Sequence, residues 1–197
     1  LPLIAALSAC LLAAAPFALL AQLSGNYTIN PVGGNYTTIG AAVTALNTVG
    51  VSGPVTFSIA PGTYAEKLVF GTIAGVSATN TVLFISSTNL ASDVNIGPAS
   101  DGTHTIDLGS TRRVNFQYLT IRAAGKGVVG SYPRNCDFLD CTITGRNNGT
   151  TTHGFDISRT ERMKVHRCAV TNVEHALILG DIGGGLASLN VEVMSCT

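Results

Sequence analysis

The chain has 197 residues, 11 Lys or Arg against 11 Asp or Glu, 46% hydrophobic residues, 22 glycines and no tryptophan. A net charge of zero argues against a nucleic-acid partner, which would call for a basic stripe. The low charge and the richness in Gly, Thr, Val and Ile fit an all-β secreted domain.

Leu1 to Ala21 is almost wholly apolar and ends Phe17-Ala-Leu-Leu-Ala21 before Gln22. Residues 1–21 read as a secretory signal peptide cut after Ala21. An initiator Met and a basic leader are missing, so a chain truncated at its start is expected, and Leu19, third before the cut, is larger than such sites prefer. Two alternatives stand beside this reading. A spanning helix fits at the lower limit of about 20 residues. Leu7-Ser-Ala-Cys10 matches a lipoprotein box, although the apolar run continues past Cys10. No stable membrane span is expected after signal cleavage.

Residues 22–50 are expected to supply a strand and a capping helix. Gly25-Asn-Tyr-Thr28 and Gly34-Asn-Tyr-Thr37 echo one another around Asn30-Pro31, as a short strand and turn. From Thr38 to Asn47 a helix is predicted with Thr38 as N-cap, Ile39, Val43 and Leu46 on one face, and a stop between Asn47 and Gly50. A single amphipathic helix ahead of stacked strands would cover the open apolar end of the stack.

Residues 51–197 read as coils. Val55–Ile59, Glu66–Phe70, Thr81–Ile85 and Val94–Ile96 are predicted strands, with the turn Pro61-Gly-Thr-Tyr64 between the first two. One line of sequence is then written four times. Val114-Asn-Phe-Gln-Tyr-Leu-Thr-Ile121, Cys136-Asp-Phe-Leu-Asp-Cys-Thr-Ile143, Met163-Lys-Val-His-Arg-Cys-Ala-Val170 and Leu189-Asn-Val-Glu-Val-Met-Ser-Cys196 start 22, 27 and 26 residues apart. Apolar residues alternate at positions 1 and 3, skip two places, and alternate again at 6 and 8. Alternation marks strands with one buried face, and the skip marks a corner between two of them. A further strand precedes each copy, at Thr105–Leu108, Gly127–Gly130, Gly154–Ser158 and Ala176–Leu179. A unit this small buries its apolar face only by stacking on copies of itself. The expected fold is therefore all-β, a right-handed parallel β-helix with an N-terminal capping helix. Because the fourth copy runs straight to Thr197, the stack is expected to be truncated at its C-terminal end. A leucine-rich repeat, the structural rival at this period, lacks its L-x-x-L-x-L frame here.

Tyr36-Thr-Thr-Ile-Gly-Ala-Ala-Val43, followed by Val55-Thr-Phe-Ser-Ile-Ala-Pro-Gly-Thr-Tyr-Ala-Glu-Lys-Leu-Val-Phe70, resembles the opening of the pectin lyase-like β-helix superfamily. Within it, pectin methylesterases have a similar cap helix, strand and Pro-Gly-Thr-Tyr-x-Glu turn. The Gly25–Ile39 stretch also resembles modules of large secreted surface proteins of Bacteroidetes. The resemblance implies the fold and no catalytic residue. The Gln-Asp-Thr and Asp-Phe-Ile-Phe-Gly segments of pectin methylesterases are absent: Phe138–Gly145 resembles the strand leading into the second, but Arg146-Asn-Asn-Gly149 follows it. Polygalacturonase-like Asp-Asp and Gly-His-Gly pieces are missing too.

Several constellations remain. The outward columns of the repeats hold Asn115, Asp137, Lys164 and Asn190, and beside them Gln117, Leu139, His166 and Glu192. Amide, acid and base side chains on a flat sheet could hydrogen-bond a sugar chain, so Asn115, Gln117, Asp137, Lys164, His166 and Glu192 are the candidate substrate-binding residues; a merely solvated face is the alternative. Asp107 and Asp156 fall two coils apart, about 10 Å in a regular stack, near the spacing of an inverting glycosidase pair, but no third acid lies in the coil between. Asp137 with Asp140 is a weak calcium cluster, and Glu174, His175 and Asp181 sit in loops near Gly183–Gly185. Ser158-Arg-Thr-Glu-Arg162 reads as a charged, solvated turn. Cys141 and Cys168 share a column, as small buried fillers or a stacked pair within reach of a disulfide. No metal-ligand spacing, nucleophile triad or phosphate loop occurs.

The expected function is a secreted β-helix acting in polysaccharide binding or cell-surface attachment, with a polysaccharide or cell-surface glycan as partner and no cofactor. The alternative is a carbohydrate-active enzyme, of methylesterase, lyase or glycosidase type, with its groove in coils beyond residue 197. Calcium enters only under that alternative.

Overall fold

The computed structural model describes residues 21–98, 104–145 and 152–180, together with the backbone of 192–194. Residues 1–20 of the expected signal peptide, Arg146 to Gly149, Asp181, Gly183 to Gly185, Asn190 and Cys196 lie outside the described residues. No helix among the described residues is long and apolar enough to cross a membrane.

The chain enters through β1 (Leu23–Ile29), forms α1 (Ile39–Val49), and then coils. The first coil carries β2 (Val51–Ile59), β3 (Gly62–Tyr64) and β4 (Leu68–Val69). The second carries β5 (Val82–Ser86), β6 (Val94–Ile96) and β7 (His104–Asp107), and the third β8 (Val114–Gln117), β9 (Thr120–Ala123) and β10 (Lys126–Gly130). The fourth has β11 (Asp137–Leu139), β12 (Thr142–Gly145) and β13 (His153–Ile157), and the fifth β14 (Lys164–His166), β15 (Ala169–Thr171) and β16 (His175–Leu179), before β17 (Glu192–Met194) begins another. Like strands pair in parallel. The first sheet runs β1-β2-β5-β8-β11-β14-β17, the second β3-β6-β9-β12-β15, and the third β4-β7-β10-β13-β16. This is the parallel β-helix that the repeat implies.

Alternation decides what faces inward. β2 and β5 bury every second residue, and their inward rings continue into the next coils. Phe57, Phe84, Phe116 and Phe138 stack in register with centroids 4.8, 5.6 and 4.8 Å apart. Phe70 and Phe155 meet this ladder edge-on. Each such pair adds about 0.5–1.5 kcal/mol beyond the area it buries. Cys141 and Cys168 are free, buried thiols, each pointing its sulfur at backbone carbonyls of its own and the preceding coil. Burial pushes the Cys136 thiol up to about 11.

The corners explain the two-residue skip. Tyr118, Asp140 and Arg167, the fifth position of three copies, all have φ between 50° and 53°. Arg113, Asn135 and Arg162 form a second left-handed column just before the first sheet. A left-handed non-glycine residue costs about 1–2 kcal/mol. Yet the corner amides keep their partners in the next coil: Asp140 N–H donates to the His166 carbonyl at 3.0 Å and Asn135 N–H to that of Glu161 at 2.8 Å. The stack thus turns without orphaning backbone groups.

The cap follows the same logic. Thr38 accepts the Ala41 N–H, and the Glu66 carboxylate takes the N–H groups of Ile39 at 3.1 Å and Gly40 at 2.5 Å. A carboxylate suits a helix N-terminus, where unpaired donors and the helix dipole converge. Diverting Glu66 in this way shortens the predicted Glu66–Phe70 strand to Leu68–Val69. Gly50, with φ of 70°, ends the helix and donates to the Leu46 carbonyl. Ile39, Ala42, Val43 and Leu46 are buried, and α1 packs against β1, β2 and β4.

One expectation is corrected. The repeat in the sequence aligns Asn190 with Lys164 and Glu192 with His166. In the structure Lys164 pairs with Glu192, Val165 with Val193 and His166 with Met194, a slip of two residues. The slip sets Val193 on inward Val165 in place of Val191, so the alternation is kept there, while Met194 moves from the Cys168 column to the outward column of His166. The hydrophobic pattern resists a slip of one and tolerates a slip of two.

Candidate functional site

The predicted residues do stand on one sheet. Asn115, Asp137 and Lys164 follow one another on β8, β11 and β14, with Gln117 and His166 two residues further along their strands. Their chemistry is partly taken up within the stack. The Asn115 side-chain oxygen accepts the Asp137 N–H, and an Asp137 carboxylate oxygen accepts the Lys164 N–H, both at 3.1 Å. These side chains therefore tie coil to coil. Glu192 stands next to Lys164 by register.

At the edge of this face is a pair the residue patterns did not reveal. Arg167 grips Asp140 through two hydrogen bonds of 2.6 Å, Nε to Oδ1 and Nη2 to Oδ2. These bonds, aided by Gln117, hold the Asp140 carboxyl below the usual range. Both residues sit in the left-handed corner column, 27 positions apart in sequence, so the pair exists only once the coils stack. With its oxygens so engaged, Asp140 is not free to join Asp137 around a calcium ion.

The third sheet carries a second constellation. Its register aligns His104, Lys126, His153 and His175 in one outward column, and Asp107, Val129, Asp156 and Ile178 in another. Lys126 reaches across to Asp156, with Nζ 2.6 Å from Oδ2, and His153 Nδ1 lies 3.4 Å from the same oxygen. His104 Nε2 is 3.7 Å from Asp107, while His153 and His175 meet edge-to-face at 5.2 Å. Gly127 and Gly154 follow the column directly. A Cβ on either would press on the next coil's backbone, at the carbonyls of Gly154 and Ala176 respectively. Glycine there lets coils approach closely and bring the long side chains together.

Asp107, Lys126, Ser131, Asp156 and Ser158 line a shared groove of about 170 Å³, floored by Val129 and Gly130. Burial alone would raise the Asp156 carboxyl, but the hydrogen bonds from Lys126 and His153 outweigh it and hold the group below its ordinary value. Burial, reinforced by Lys67 and Lys126, lowers the His104 imidazole against the pull of Asp107. The two aspartates singled out by spacing therefore do share a site. What the sequence did not show is the cation between them: the intervening coil offers Lys126 in place of a third acid.

Fold and site together define a parallel β-helix with polar, charge-paired outer faces. No protein-family model matches the chain, and no curated protein matches it in sequence. Among solved structures it is similar to a pectin methylesterase from Aspergillus niger in penultimately deglycosylated form, at 16% identity and TM-score 0.43, covering 89% of this chain and 77% of that one. It is also similar to the deglycosylated form, at 14% identity and TM-score 0.41, covering 90% and 86%.

Proposed function

We propose that this chain is a secreted β-helix that binds polysaccharide at the cell exterior without cleaving it. The observation that carries this reading is the third-sheet groove, where Asp107, Lys126, Ser131, Asp156 and Ser158 present donors and acceptors from consecutive coils. Sugar hydroxyls are recognised by such paired polar groups when a rigid frame holds them in place. The first-sheet residues Asn115, Gln117, Asp137, Lys164 and His166 extend the polar surface around the stack, and Glu192 follows Lys164 in register. The apolar leader 1–21 and the resemblance of Gly25–Ile39 to secreted surface modules support an extracellular place.

The pairing of Asp156 suits it to binding and excludes it as the general acid of a hydrolytic pair. Inverting hydrolysis needs one protonated carboxyl as general acid and one anionic carboxylate as general base. Asp156 is held on the anionic side by Lys126 and His153. It is suited to accept hydrogen bonds from hydroxyls, not to donate a proton to a leaving oxygen.

The test is retention on a panel of immobilised neutral and acidic polysaccharides, with released reducing ends, methanol and unsaturated sugars measured in parallel. The wild-type chain should be retained without product. Lys126→Ala with Asp156→Asn should weaken retention about tenfold, the loss expected for removing one or two hydrogen bonds to charged groups. Lys164→Ala with His166→Ala reports on the first-sheet face. Retention unchanged in both double variants would refute the reading, and product release would favour the enzyme alternative.

A further inference from the structure

The corner leading from the third sheet into the first recurs in three successive coils and gathers five of the chain's 11 basic residues: Arg112 and Arg113, then Arg134, then Arg159 and Arg162. Glu161 is the one acid in these three corners, and it lies 3.5 Å from Arg162. Parallel bridges stack Arg112 on Arg134 and Arg134 on Glu161. Beside them Arg113, Asn135 and Arg162 form the left-handed column. Arg112, Arg113, Arg134, Asn135 and Glu161 line an open groove of about 260 Å³, bordered by the loop at Val76 and Ser77.

Two features show that this is more than a solvated turn. The Tyr132 ring lies under two guanidinium groups, 5.0 Å from Arg134 and 5.7 Å from Arg159, and so holds like charges close together. The Nε atoms of both arginines are buried with no hydrogen-bond partner among the described residues. Like charges on neighbouring strands repel, and a buried donor without an acceptor is unfavourable. An oxyanion in the groove would relieve the repulsion between Arg112, Arg113 and Arg134 and offer Arg134 an acceptor.

We propose that this corner binds the oxyanions, carboxylate or sulfate, of an acidic polysaccharide. The proposal rests on the polysaccharide-binding reading and adds the charge class of the ligand and a second site for it. A polymer fits better than a small anion because the cations recur with the coil rise of about 4.8 Å, close to the rise of one sugar ring in an extended chain. A nucleic acid fits less well, because the protein's zero net charge offers no long-range attraction.

The experiment titrates the intact chain with polygalacturonate, heparin, neutral dextran and single-stranded DNA at rising NaCl concentrations. Polygalacturonate or heparin should bind at low salt, with affinity falling as salt rises, and dextran should bind more weakly. Arg112→Gln with Arg134→Gln should lower acidic-polymer affinity about tenfold at low salt and flatten its salt dependence, as expected when counterion-releasing contacts are lost. Glu161→Gln should change affinity in the opposite direction, a gain that misfolding cannot imitate. If neither variant alters acidic-polymer binding while Lys126→Ala with Asp156→Asn abolishes it, the inference falls and the functional reading stands. If no polysaccharide binds the wild type, both fall. DNA bound as tightly as the acidic polysaccharides, with the same response to both variants, overturns the assignment to a saccharide.

Discussion

Replacing Phe116 with alanine tests the ladder on which the stack depends. Phe116 is 1% exposed and touches three rings: Phe84 at 5.6 Å and Phe138 at 4.8 Å, both stacked, and Phe70 edge-on at 5.8 Å. Truncating a buried Phe to Ala costs about 3–5 kcal/mol through lost transfer energy and the cavity left behind. Three aromatic pairs, each about 0.5–1.5 kcal/mol, place Phe116 at the upper end of that range. Phe155, equally buried, has a single ring partner among the described residues, Phe138, so Phe155→Ala should cost about 1–3 kcal/mol less. Phe116→Leu, which keeps most of the volume but none of the ring contacts, should fall between wild type and Phe116→Ala. The assay is guanidinium unfolding followed by far-UV circular dichroism. The denaturant slope is compared across variants because stacked repeats can lose cooperativity. Equal losses for Phe116→Ala and Phe155→Ala, or a loss under about 1 kcal/mol for Phe116→Ala, would refute the argument that ring stacking organises the core.

Two further predictions concern the cap and the corner. Glu66→Ala removes the acceptor for the Ile39 and Gly40 amides and should cost about 1–2 kcal/mol. Hydrogen exchange at those two amides should accelerate selectively, and unchanged protection there would contradict the capping role. Asp140 is held below its ordinary value by Arg167. Its folded-state contribution is therefore present above the unfolded carboxylate value of about 3.9 and is lost as pH falls through the lower folded value. Arg167→Gln should be less stable than wild type near neutrality, with the gap closing below that window. A gap that stays constant from neutral to strongly acid pH would show that Arg167 acts through packing instead.

What the sequence determined by itself is local and periodic. Alternation at Val114 and Phe116, resumed at Leu119 and Ile121, specifies two strands and a corner, and its repetition specifies stacking, because no single copy can bury its own apolar face. Thr38, the Ile39, Val43 and Leu46 face and Gly50 likewise mark the helix and its ends within a dozen residues. The tertiary structure alone decided which residues meet across coils. The alternation of the fourth copy accepts Val193 in the place of Val191, so only the parallel register places Glu192 beside Lys164. Lys126 and Asp156 are 30 positions apart, Asp140 and Arg167 27, and Arg112 and Arg134 22. Intervening loops of unequal length mean that no fixed spacing announces these pairs. Chemistry on this fold runs along the coil axis, at right angles to the chain, and becomes visible only once the strands are in register.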